Sequence, residues 1–398
     1  MAAHPKSGVA KAGADENIGK GLNQPMPHEA ASPSLPNGPA LADLLQILVE
    51  NQGSDLHLQA GEVPVGRIHG QLGRFELAPL SVEDILRLAR EVLDTDERMQ
   101  QFLTAKDCDA AVVVPGLGRF RVNLFYQRNL PGLVLRTIGT RIPTIEQLEL
   151  PAVLTSIAAA NDGLVLVTGA TGSGKSTTLA ALINHINTTE ACHIMTLEDP
   201  IEFVHQNKLA LINQREITVD SASFASALKH VLRQDPDVIL IGELRDAESA
   251  AIALTAAETG HLVFGTLHTQ DASESLERLI NLFPTDRMAA VRMQLSLGLR
   301  AIICQKLLPR AGGGRTAVLE ILLNSPRIKK LILEGDTTRI PAAIQASRAE
   351  GMQTFNQGLV DLVKASKVEE AEALRCSPKP DELKMNLKGI YSGTSAMV

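Results

Sequence analysis

Apolar positions recur with a helical period at Leu41, Leu44, Leu45 and Leu48, and Gly53 stands where such a helix would end. From residue 54 to 136 the pattern turns to alternation. Leu56 and Leu58, then Val63, Val65 and Ile68, predict short half-buried strands, and Val82, Ile85, Leu86, Leu88 and Ala89 predict a helix between strands. Ala111 to Val114, followed by Phe120, Val122 and Leu124, predict a hairpin turning at Pro115-Gly116-Leu117-Gly118. These elements make a small α+β domain over residues 41–136. Thr137 to Pro151, with Gly139, Pro143 and Pro151, reads as a linker. Residues 1–40 carry Pro, Gly, Ala and Ser with no apolar period and are expected to be a disordered tail.

From Gly163 the character changes. Compact apolar runs recur at Leu164–Val167, Ile194–Leu197, Val238–Ile241 and Leu262–Phe264, with helical patterns between most of them. Strands alternating with helices predict an α/β domain built on a parallel sheet, here over residues 152–375. After Pro284 the pattern reads as helical to about Leu374, with a break at Pro309–Gly314, and residues 376–398 read as a polar tail.

Composition narrows the function classes. Aromatic residues are only 3% of the 398, with no Trp, so aliphatic side chains must fill the cores. A net charge of −7 and few aromatic rings for base stacking argue against nucleic acid as the partner. Cys108, Cys192, Cys304 and Cys376 lie far apart, which argues against a zinc site or a disulfide framework and fits a reducing cytoplasm. No apolar run approaches the ~20 residues of a membrane span, and the N-terminus has no apolar signal core.

Gly169-Ala170-Thr171-Gly172-Ser173-Gly174-Lys175-Ser176 fits the phosphate-loop pattern GxxxxGK[ST], with a predicted strand before it and a predicted helix from Thr177 after it. The glycines let the backbone wrap a phosphate, and the helix N-terminus adds partial positive charge. Gly169, Thr171, Gly172, Ser173, Gly174, Lys175, Ser176 and Thr177 are therefore the expected nucleotide cradle. Lys175 would reach the β- and γ-phosphates of ATP, and Ser176 would ligate Mg²⁺.

Ligands of an open parallel sheet sit at the carboxyl ends of its strands. There the chain places Glu198-Asp199-Pro200, Gly242-Glu243 and His268. This set suits transfer of a phosphoryl group to water, which must be oriented and relieved of a proton. Glu198 or Glu243 could take that proton while the other helps hold the Mg²⁺ shell, and His268 could bond the γ-phosphate. An acid after a strand also serves as a helix N-cap, and Asp246, before the helix from Ala247 to Thr259, reads that way. His261 precedes its strand, so simple geometry places it at the opposite edge.

Taken together these residues resemble the secretion-superfamily ATPases of type IV pili and type II secretion, and most closely the PilT/PilU-like retraction branch. The resemblance covers about residues 41–375. It rests on Gly53-Ser54-Asp55-Leu56-His57, on Thr196 to Phe203, on Leu232 to Asp246, and on Thr255 to His261 continuing through Gly265-Thr266-Leu267-His268-Thr269. It implies a PAS-like N-terminal domain, a RecA-like P-loop domain with C-terminal helices, and a homohexameric ring with nucleotide between the domains. It makes Glu198 the water activator and Glu243 the acid of the Walker B region, where Gly242 stands in place of the Asp of many P-loop enzymes. It also promotes His261 with His268 to the site, against the geometric reading of His261. The implied activity is ATP hydrolysis that powers pilus retraction; the alternatives are pilus assembly, type II secretion or a weakly hydrolysing accessory ring. The implied partners are further copies of the chain and an inner-membrane platform protein of the pilus machinery, at the cytoplasmic face of the membrane. Arg119, Arg121, Arg128, Arg136, Arg233 and Arg245 are candidates for an arginine supplied by a neighbour. Arg119 and Arg121 lie two apart on one strand face, and Arg121 is the leading one. Arg327 to Asp336 keeps the apolar frame of the retraction branch's C-terminal motif, with Leu333 and Asp336 where that motif is basic.

Overall fold

The computed structural model describes residues 38–68, 70–139 and 142–390 and divides into two units, one ending at Ile138 and the other starting at Gly139. The first unit runs α1 (Leu41–Glu50), β1 (Gly53–Gln59), β2 (Val65–Ile68), β3 (Gln71–Arg74), α2 (Val82–Leu93), α3 (Asp96–Ala105), β4 (Asp107–Val114), β5 (Gly118–Gln127) and β6 (Leu130–Ile138). Its antiparallel sheet has the order β3-β2-β1-β6-β5-β4. Alternation sorts the two faces. Leu56, Leu135 and Val122 are register partners, as are Leu58, Leu133 and Leu124, and all join Leu44, Leu48, Leu88 and Phe102 of the helices in one core. Asp55, Arg136 and Arg121 form a row on the opposite face. The helices begin where side chains satisfy the first amides: Ser81 accepts from Asp84 N, and Thr95 from Arg98 N.

The second unit contains α4 (Val153–Ala158), β7 (Gly163–Thr168), α5 (Lys175–Thr189), β8 (His193–Glu198), β9 (Leu211–Glu216), α6 (Phe224–Val231), β10 (Val238–Ile241), α7 (Ala247–Glu258), β11 (Leu262–Leu267), α8 (Ala272–Ile280) and α9 (Met288–Gly298). It ends with β12 (Leu299–Pro309), β13 (Arg315–Leu323), α10 (Pro326–Glu334), α11 (Ile340–Ala346), α12 (Phe355–Lys364), α13 (Glu370–Cys376) and α14 (Pro380–Leu387). The sheet order is β13-β12-β7-β11-β10-β8-β9, parallel except for β13. Every residue of β7, β10 and β11 is buried, as expected of central parallel strands. Two apolar clusters, one on Leu164 and Leu166 and the other on Val165 and Val167, cover the two faces.

The structure corrects three sequence expectations. Residues 299–323 are not helical but form the β12–β13 hairpin, whose turn is the expected break. A short run buried on both faces has no strand period to betray it. Residues 145–150 do not merely link: Ile145 and Leu150 are buried in the second unit's core. The stretch from 376 is not a tail as far as Ile390, because α14 buries Leu383 against that core. The expected disordered segment falls on residues 1–37, outside the described residues, as do 391–398.

Glu320 is a carboxyl group inside this frame. It sits on β13 opposite Cys304 of β12 and accepts a bond from Ala272 N, the first residue of α8, at 3.0 Å. Burial, with Asp271 beside it, pushes its pKa up to about 7. The folded chain therefore holds that proton more tightly than the unfolded chain, and stability falls as pH rises from the ordinary 4.5 through about 7. Glu320→Gln keeps an acceptor for the Ala272 amide and removes the charge. The drop in melting temperature between about pH 5 and about pH 7.5, followed by scanning calorimetry, should be smaller in the variant than in the parent.

Candidate active site

Four parallel strands end on one rim. β7 delivers the loop 169–174, β8 delivers Glu198, β10 leads to Gly242-Glu243, and β11 leads to His268. All four contributions line one cavity of about 450 Å³. The loop owes its shape to glycine: Gly169, Gly172 and Gly174 have φ of 141°, 79° and 88°. Gly174 is the N-cap of α5, and no side chain among the described residues bonds the helix's first amides. Lys175, Ser176 and Thr177, which carry those amides, line the cavity, and a free helix N-terminus suits an anion. Ser173 Oγ is buried beside them with no partner among the described residues.

Lys175 Nζ donates to Gly169 O at 2.7 Å and to Ala170 O at 3.2 Å, which keeps its charge over the loop. Burial lowers its pKa, while the charges of Glu243 and Glu202 oppose that shift. Behind the loop, Gln305 of β12 acts as a clamp: its Nε2 donates to Ser173 O at 2.8 Å and its Oε1 accepts from Thr178 Oγ1 at 2.7 Å.

Glu198 is half-buried in the cavity wall, and desolvation raises its pKa. Its Oε1 accepts from Thr196 Oγ1 at 2.6 Å and from Gln214 Nε2 at 3.0 Å. Glu243 is engaged differently. Arg245 Nη2 lies 2.8 Å from its Oε2 and His268 Nε2 lies 3.5 Å from the same atom. Gly242 has a steric reason to lack a side chain, because a Cβ there would lie 3.0 Å from Leu197 O and 3.3 Å from the Cα of Glu198. A side chain at that position would require the end of β8 to give by a few tenths of an ångström.

The chain as a whole has counterparts among known proteins. The family profile described as "Type II/IV secretion system protein" matches residues 42–313. The type IV pilus ATPase PilU of Pseudomonas aeruginosa is 43% identical over 346 residues, covering 87% of this chain and 90% of PilU. The type IV pilus retraction ATPase PilT of the same organism is 45% identical over 323 residues, covering 81% of this chain and 94% of PilT. The crystal structure of the pilus retraction motor PilT with bound ADP superposes with a TM-score of 0.82 at 41% identity, covering 87% of this chain and 99% of that one. The chain belongs to the type II/IV secretion system protein family. Its fold is a mixed α/β fold similar to that of PilT.

Within this family frame, the structure brings together Thr171, Gly172, Gly174, Lys175, Ser176, Thr177, Glu198, Glu243 and His268 around the cavity, as the sequence predicted. Gly169 and Ser173 shape the loop from beneath. Like Gly169 and Ser173, the expected His261 and Arg121 do not line that cavity. His261 caps the other end of the sheet: its O accepts from Gly163 N at the start of β7, and its Nδ1 meets Ala256 O at 3.0 Å. Within this unit His261 thus lies at the opposite edge of the sheet from His268. Arg121 belongs to the first unit, on β5, with Nη2 3.8 Å from Asp109 Oδ1. The sequence reading missed Gln305 and Gln214, since neither β12 nor β9 had been expected. It also missed His205, which lines the cavity with a pKa lowered to about 4 by burial and by Lys208.

Gly169→Ala would place a Cβ 2.4 Å from Gln305 O and 2.6 Å from Ser173 Oγ, in a backbone conformation that disfavours it. The strain is about 1–3 kcal/mol, so ADP affinity measured by calorimetric titration should fall roughly tenfold or more. At Gly172, where nothing lies within 4 Å of the added atom, Ala should cost less.

Proposed function

We propose that the chain is a P-loop ATPase motor that powers type IV pilus retraction and hence twitching motility. The observation that carries this is one cavity joining the uncapped N-terminus of α5 to the half-buried, hydrogen-bonded carboxylate of Glu198. We read the second unit as RecA-like and the first as PAS-like, and the working form as a homohexamer. The triphosphate lies on the α5 amides and Lys175. The base and ribose extend along a neighbouring cavity of about 300 Å³ that shares Gly174, Thr177 and Arg315 with the first.

Glu198 takes a proton from the attacking water. The water oxygen bonds to the γ-phosphorus, and the bridging P–O bond breaks with its electron pair going to the β-phosphate. A carboxylate whose pKa is raised by burial holds that proton better than an exposed one. His268 and Arg245 keep Glu243 oriented along the rim. The donor set suits Mg²⁺, because Ser176 and Glu243 offer hard oxygens. No cluster of three or more acidic, His or Cys residues that could hold a metal occurs among the described residues. Ser176, with Glu243 in the outer shell, would hold the ion together with phosphate oxygens and water. An ion held there would supply positive charge against that of the phosphates.

No helix among the described residues is long and apolar enough to cross a membrane. We place the motor at the cytoplasmic face of the inner membrane, held there by a platform protein of the pilus machinery. Nothing in this reading calls for nucleic acid. Pilus assembly is the second reading. It draws on the one segment that departs from the retraction motif, where α10 buries Ile328, Leu331 and Ile332 and leaves Leu333 exposed in a basic position of that motif.

Purified Glu198→Gln should still bind ATP and should hydrolyse it at least about a hundredfold more slowly. Cells carrying that variant alone should be densely piliated and unable to twitch; bald cells would instead indicate assembly. Arg121 is the arginine we assign to catalysis on a neighbouring copy. Arg121→Ala in the assembled ring should preserve nucleotide affinity and lower turnover about a thousandfold, measured by phosphate release.

A further inference from the structure

β9 lies at the edge of the parallel sheet, paired only with β8, and its side chains hold the segment that follows Glu198. Gln214 makes three bonds. Its Nε2 donates to Glu198 Oε1 at 3.0 Å and to Phe203 O at 2.8 Å, and its Oε1 accepts from His205 N at 2.7 Å. Two residues on, and so on the same face, Glu216 Oε2 accepts from Ile201 N at 3.3 Å. The loop 199–205 is thus pinned to one face of β9 at Ile201, Phe203 and His205, and Gln214 links that pinning to the carboxylate itself. Gln214 does not line the cavity, whereas Glu198, Phe203 and His205 do.

We propose that Gln214 is a positioning residue for the water-activating Glu198. This rests on the reading of Glu198 given above. A carboxylate oxygen has two lone-pair sites, and Thr196 and Gln214 fill both on Oε1. Oε1 is thus fully engaged inside the protein, and the Glu202 backbone bonds the same carboxylate. Two donors arriving from different strands, β8 and β9, also fix the plane of the carboxylate. Without Gln214 the carboxylate would keep Thr196 and the Glu202 backbone but lose its one tie to β9, and a misplacement near 1 Å costs on the order of a hundredfold in rate.

The test uses the assembled full-length protein. Gln214→Leu removes all three bonds. Gln214→Glu keeps the size and an acceptor for His205 N but loses the donors to Glu198 and Phe203, and it remains informative if the leucine variant fails to fold. Asn213→Ala is the control: it lies on the other face of β9, where its amide meets His193 Nε2 at 3.1 Å, so it perturbs the edge strand without touching the loop. Steady-state hydrolysis should show kcat reduced about tenfold to a hundredfold in both Gln214 variants, with KM and ADP affinity within about twofold of the parent. Asn213→Ala should keep the parent's kcat. Unchanged kcat in folded Gln214 variants, or an equal loss in Asn213→Ala, would overturn the proposal. Glu198→Gln is run alongside: if it retained full turnover, the reading of Glu198 itself would fail, whereas a dead Glu198→Gln with active Gln214 variants sinks only the positioning role.

Discussion

The first-turn amides of α5 lack side-chain partners, and the rest of the second unit is arranged around that fact. Ser81, Thr95, Ser223, Asp246, Asp271, Ser325 and Thr354 each cap a helix in this chain. The longest helix, α5 with 15 residues, begins instead at a left-handed glycine. Its dipole and free N–H groups favour an anion at the point where four strand ends deliver two carboxylates, a lysine and an imidazole. The acids could not stand so near a bound phosphate without the opposing charge of that helix end, of Lys175 and of Arg245.

Two glutamines hold opposite flanks of the arrangement. Gln305 on β12 ties the phosphate loop to α5, and Gln214 on β9 ties Glu198 to the loop that follows it. A neutral amide suits this task because it donates and accepts at once and carries no charge to compete with the ligand. Gln305 is almost fully buried, so its polar atoms must be satisfied, and satisfying them fixes the backbone of the loop.

The chemistry was legible in the sequence wherever a residue followed an apolar run. Lys175, Glu198, Glu243 and His268 were found because a parallel sheet sends the ends of its strands to one edge, and the runs before them are buried on both faces. His261 shows the same rule from the other side, since its position before β11 sends it to the opposite edge. What stayed hidden was support rather than chemistry. β9 begins with an exposed Leu211 and carries Asn213, Gln214 and Arg215, so no period announced it. β12 and β13 were mistaken for helix because their interior runs have no alternation. A side chain that acts through another leaves no spacing signature, because its partner lies on a different strand.

The placement of β9 has a dynamic consequence. A central strand is held by ladders on both sides, whereas this one is held by β8 alone, so detaching it breaks a single ladder and draws only Ile212 of the strand out of the core. The support of Glu198 thus belongs to the edge of the sheet, where local opening is easier than at its centre. Anything that grips that free edge would stiffen the motor, and anything that peels it away would idle the motor with nucleotide still seated.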